Sequence, residues 1–74
     1  MTKEELRKII LSELRLESST VSDGELRQDK LAVWDSLTHL QMIVKLENKT
    51  SLKFSAKQIA KMTSLETIAE EIGL

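Results

Sequence analysis

Apolar residues recur at intervals of three and four in four stretches of the chain, and each stretch opens with its own capping signal. Leu6, Ile9, Ile10 and Leu14 share a face at the helical period. Thr2 and Glu5 have capping-box spacing, so a first helix is predicted from about Lys3 to Leu14. Leu37, Leu40, Ile43, Val44 and Leu46 predict a second, from about Ser36 to Asn48, with Asp35 as its N-cap. Its apolar face is broad, as in a helix packed by several neighbours. Ser55 and Gln58 open a short third helix, about Ala56 to Lys61, with Ala56, Ile59 and Ala60 on its inner side. Thr63, with Glu66 three residues on, opens the last, about Ser64 to Ile72. Leu65, Ile68, Ala69 and Ile72 line one face of it, and Gly73 is a natural terminator.

Between the first two helices, residues 17–35 are polar and turn-rich, with Asp23-Gly24 as a turn signal. Val21, Leu26, Leu31 and Val33 are expected to tack this long loop onto the core. Residues 49–54, where Leu52 and Phe54 flank Lys53, read as an extended connection and not as part of a sheet. The expected fold is all-α: a small four-helix bundle of three longer helices and one short one, with a long loop between helices one and two. Nothing reads as a linker, a repeat or a low-complexity tract, so residues 1–74 are expected to form one domain.

Composition narrows the chemistry. The chain has no cysteine, which excludes disulfides, zinc–thiolate sites and a thiol nucleophile. A single histidine excludes a histidine-rich metal site, so no metal is expected. Stability must then come from helix packing and aliphatic burial, which is demanding at 74 residues. No apolar run is long enough to span a bilayer, and the charged start MTKEELRKIILSEL is unlike a signal peptide. The expectation is a cytoplasmic monomer without membrane contact. A net charge of −1 gives no overall attraction for nucleic acid. Locally, Lys45, Lys49, Lys53, Lys57 and Lys61 face only Glu47 in residues 45–61. That series reads as a solvated face or as a docking surface for an acidic partner.

The chemistry-bearing residues sit where the second helix begins. Asp35, Ser36 and His39 contain the letters of a hydrolase triad, but a triad needs an oriented base and an oxyanion hole over a cleft. A bundle this small offers little room for one, and His39 is expected at the surface. A serine that receives a group is a better reading. The first position of a helix is exposed and rigidly oriented, and the helix dipole there favours a phosphate. Asp35 places a carboxylate beside the hydroxyl, able to contact a metal carried by a modifying enzyme that supplies the base as well.

The residues Asp35-Ser36-Leu37 resemble the phosphopantetheine attachment motif of the acyl carrier protein family. WDSLTHLQMIVKLE is similar to that family's second helix, with the modifiable serine first and Glu47 near the end. LKFSAKQIAKM resembles its following loop and short third helix, and TSLETIAEEI its last helix. The resemblance covers essentially the whole chain. It implies that a phosphopantetheinyl transferase uses coenzyme A and magnesium to attach 4′-phosphopantetheine to Ser36, with Asp35 and Leu37 orienting or contacting the transferase. It implies a shuttle that carries acyl or aminoacyl groups as thioesters between acyl-loading and acyl-transfer enzymes of fatty acid, polyketide or other specialised biosynthesis. Such a carrier is a substrate for enzymes and not itself a catalyst, and the sulfur that the chain lacks comes with the cofactor.

The resemblance also assigns roles further out. Trp34 reads as a core or loop-packing aromatic or as a contact for the modifying enzyme or a partner, and Thr38, Gln41, Lys45 and Glu47 become candidates for partner docking. Met42, Leu46, Phe54, Ile59 and Met62 become candidates for an acyl-accommodating interior, or are simply core. Three features depart from the family's pattern. No glycine shortly precedes the motif, the second helix has Glu47 as its one acid, and Thr50 stands where an aromatic residue is usual. The second feature sets the chain apart from members that dock on basic enzyme patches. A non-modified helical interaction module of the same fold, using Ser36 only to start a helix, is the alternative.

Overall fold

A computed structural model describes the backbone of residues 1–74 and every side chain except that of Ser18. Four helices form: α1 (Lys3–Leu14), α2 (Ser36–Thr50), α3 (Ala56–Lys61) and α4 (Leu65–Ile72). Two single 3-10 turns, Ser18–Thr20 and Asp23–Glu25, punctuate the long loop between α1 and α2. The only extended pairing among the described residues is an isolated antiparallel bridge between Arg27 and Ser64.

Each helix starts where a side chain takes over an amide that the helix leaves unpaired. Thr2 and Glu5 cap α1 reciprocally, and Ser55 and Gln58 do the same for α3. Asp35 caps α2 by accepting from the Thr38 amide at 2.9 Å. The last helix corrects its expected start. Ser64, not Thr63, is the cap, and its partner is Thr67, not Glu66. The Ser64 amide donates to Thr67 Oγ1 at 3.0 Å, so two hydroxyls close the box without a carboxylate. Gly73, at φ +94°, ends α4 in the left-handed region, where a glycine has no steric cost. The second helix runs two residues past its expected end, to Thr50, whose Oγ1 donates back to the Leu46 carbonyl at 2.7 Å, and Ser51 then turns left-handed.

One hydrophobic core joins the elements. It takes Leu6, Ile10, Leu11 and Leu14 from α1, Met42, Ile43 and Leu46 from α2, and Leu65, Ile68 and Ala69 from α4, with Met62 just after α3. The first helix packs against both α2 and α4. The loop is tied down by Val21, Leu26 and Trp34, all buried, while Val33 is exposed, against expectation. Arg7 of α1 reinforces the tie, donating to Asp23 Oδ1 at 2.6 Å and to the Val21 carbonyl. Of the three residues expected on the inner side of α3, Ile59 turns inward, while Ala56 and Ala60 are exposed. The molecule measures 30 × 24 × 17 Å. Its thinnest dimension is under two helix diameters, at about 10–12 Å each, so there is little depth for an internal cleft.

Candidate functional site

Ser36 is the first residue of α2 and is exposed. Its hydroxyl has no hydrogen-bond partner among the described residues. Asp35, beside it, is also exposed, and the Thr38 amide holds its carboxyl below the usual carboxylate range. The pair therefore offers a free hydroxyl next to a group that stays ionised at neutral pH. Among the described residues no helix is long and apolar enough to cross a membrane.

The exposed side of α2 is more apolar than expected. Leu37, Leu40 and Val44 are 66%, 55% and 55% exposed. They follow the i, i+3, i+7 spacing of one helical stripe, about 140° around the helix from the buried row of His39, Met42, Ile43 and Leu46 at 100° per residue. The broad face read from the sequence thus divides into two. One part packs on the bundle, and the other lies open to solvent beside Ser36. Leu40 and Val44 were assigned to packing by their spacing alone; the signal for exposure was that the face is wider than so few neighbours can cover.

Two ring residues are internal. Trp34 is 2% exposed, which agrees with its reading as a packed aromatic and corrects it as a partner contact, and His39 is 8% exposed, which corrects it as a surface residue. The Trp34 indole Nε1–H donates to His39 Nδ1 at 3.0 Å. An indole can only donate, so Nδ1 is unprotonated and the proton of the neutral ring sits on Nε2. That nitrogen lies 3.1 Å from the Ile59 carbonyl and donates to it. Both ring nitrogens are committed to internal partners, so His39 is not a base poised for Ser36. A sequence signal for the pair did exist. Trp34 and His39 flank the Asp35 cap at the two positions that meet in a hydrophobic staple.

The other assigned residues sort by what holds them. Gln41 is exposed and Thr38 half-buried. Lys45 reaches across to Glu13 of α1 at 3.1 Å, and Glu47 accepts from the Phe54 amide at 2.9 Å. These two charges serve the bundle: one links α1 to α2, and the other anchors the connection into α3. Met42, Leu46 and Met62 are fully buried, while Phe54 and Ile59 pack half-buried against the same core. A surface recess of about 290 Å³, lined by Asp23, Arg27, Ser64 and Glu66 among others, lies where the loop meets α4 and includes none of the assigned residues. No protein-family model matches the chain, and neither a curated protein nor a solved structure matches it.

Proposed function

We propose that the chain is an acyl carrier protein, modified at Ser36 with 4′-phosphopantetheine and carrying acyl or aminoacyl groups between partner enzymes. The observation that carries this reading is the unpartnered, exposed Ser36 hydroxyl at the opening of α2, next to the uncovered stripe Leu37–Leu40–Val44. A bulky phosphodiester fits at such a position because nothing encloses the hydroxyl, and a helix start tolerates negative charge well.

In the attachment step Ser36 Oγ bonds to the phosphorus on the pantetheine side of the coenzyme A pyrophosphate. The bond from that phosphorus to the bridging oxygen breaks, adenosine 3′,5′-bisphosphate leaves, and the hydroxyl proton passes to a base of the phosphopantetheinyl transferase. Asp35 contacts the magnesium that the transferase brings, and Leu37 contacts its surface. Once attached, the arm supplies the thiol that this cysteine-free chain lacks. The bundle then presents and orients; catalysis belongs to the acyl-loading and acyl-transfer partners. Those partners dock on the open face of α2, where Gln41 and the leucine–valine stripe give a neutral, apolar contact in place of an acidic one.

Intact-mass measurement after incubation with coenzyme A and a permissive transferase tests the reading. The expected result is one added phosphopantetheinyl group on the wild type and none on Ser36→Ala. No addition to the wild type, with partner binding preserved in Ser36→Ala, would establish a non-modified interaction module instead.

A further inference from the structure

The seam between α2 and α3 is bridged by polar groups and backed by closed packing. His39, from α2, donates to the backbone carbonyl of Ile59, in α3. On its other side the same ring accepts from Trp34, whose indole is nearly fully buried at the entry to α2. Behind this relay, Met42, Leu46 and Met62 have no exposed surface and belong to the continuous core. An acyl chain entering along this seam has to separate α3 from α2. It would strip the imidazole, which Trp34 holds in place, of its Ile59 partner and displace side chains that already fill the space.

We propose that the Trp34–His39–Ile59 relay closes the bundle against its cargo, so that the carrier takes short or polar acyl groups and holds them outside the core. The proposal rests on Ser36 as the attachment point. It assigns His39 and Trp34 as specificity-determining residues that touch neither the arm nor the transferase. They act by keeping an apolar chain from gaining burial, which leaves a long acyl group exposed to water and without the stabilisation that burial provides.

The test loads Ser36 by a permissive transferase from acetyl-coenzyme A and, separately, from octanoyl-coenzyme A, with loading confirmed by mass. Nuclear magnetic resonance then follows the Trp34 indole N–H and the methyl groups of Met42 and Met62. The expected result is that the octanoyl form superimposes on the acetyl form at all three. Hydroxylamine should also cleave the two thioesters at the relative rates seen for free pantetheine thioesters. His39→Leu opens the relay, and there the octanoyl group should shift both methionine methyls and slow its own cleavage. Trp34→Phe is a second opening variant with the same expectation. Octanoyl-dependent shifts or protection in the wild type overturn the proposal while leaving the attachment reading intact. Opening variants that behave as the wild type overturn the relay as the cause. Failure of Ser36 to load overturns the attachment reading, and the proposal with it.

Discussion

The indole N–H of Trp34 and Nδ1 of His39 lie 3.0 Å apart inside the bundle, so a residue of the long loop fixes the tautomer of a residue in α2. Their removal should be strongly coupled. His39→Leu leaves the indole N–H without a partner, at about 1–3 kcal/mol for a buried donor, whereas the Ile59 carbonyl keeps the Met62 amide. Trp34→Phe leaves Nδ1 unpaired in turn. The double variant removes both halves of the bond, so its loss in urea unfolding, followed by circular dichroism, should fall short of the summed single losses by about 0.5–3 kcal/mol. Strict additivity would mean that the bond contributes nothing to the bundle.

The open stripe on α2 predicts a split between stability and partnership. Leu40→Asp and Val44→Asp sit at exposed positions and should change unfolding free energy by no more than about 0.5 kcal/mol. Each should nonetheless weaken transfer of a loaded group to a partner enzyme, raising KM. A matched substitution at Met42, fully buried, should do the reverse and unfold the protein before docking is affected.

The helices were legible because capping and periodicity agreed at each of them. Lys3 to Leu14 and Ala56 to Lys61 were placed to the residue. The start of α4 was less so, since Thr63 and Ser64 are adjacent hydroxyl residues and only the geometry chooses between them. Ser36 and Asp35 stand where the sequence put them, exposed at a helix start. His39 was misjudged because its two partners, the Trp34 indole and the Ile59 carbonyl, meet it only once the chain is folded. Lys45 and Glu47 read as free surface charges, yet each meets a partner, Glu13 and the Phe54 amide, that spacing along one helix does not reveal.

Asp35 combines two roles that substitution separates. Asp35→Asn keeps an oxygen able to accept from the Thr38 amide, so stability should hardly change, whereas Asp35→Ala loses the cap and should lower the unfolding midpoint. Modification of Ser36 should fall in both variants if the carboxylate contacts the transferase's metal. Equal modification of Asp35→Asn and wild type, measured as rate of mass gain, would reduce Asp35 to its capping role.

The same cap makes the bundle acid-sensitive. Backbone hydrogen bonds hold three exposed carboxyls below their ordinary values: Glu5 through Thr2, Glu25 through Ser22, and Asp35 through Thr38. A group whose folded value is depressed binds fewer protons in the folded state than in the unfolded one. Its contribution is therefore complete above the unfolded value, about 4 for these side chains, and is lost as pH falls through the folded one. Thermal unfolding midpoints should be flat with respect to these groups at neutral pH and should begin to drop only below about pH 4 to 5, where the unfolded carboxyls start to take up protons. Asp35→Asn and Glu25→Gln should each flatten that acid limb while leaving the neutral plateau nearly in place. An acid limb of unchanged steepness in the double variant would show that the capping carboxyls do not set it.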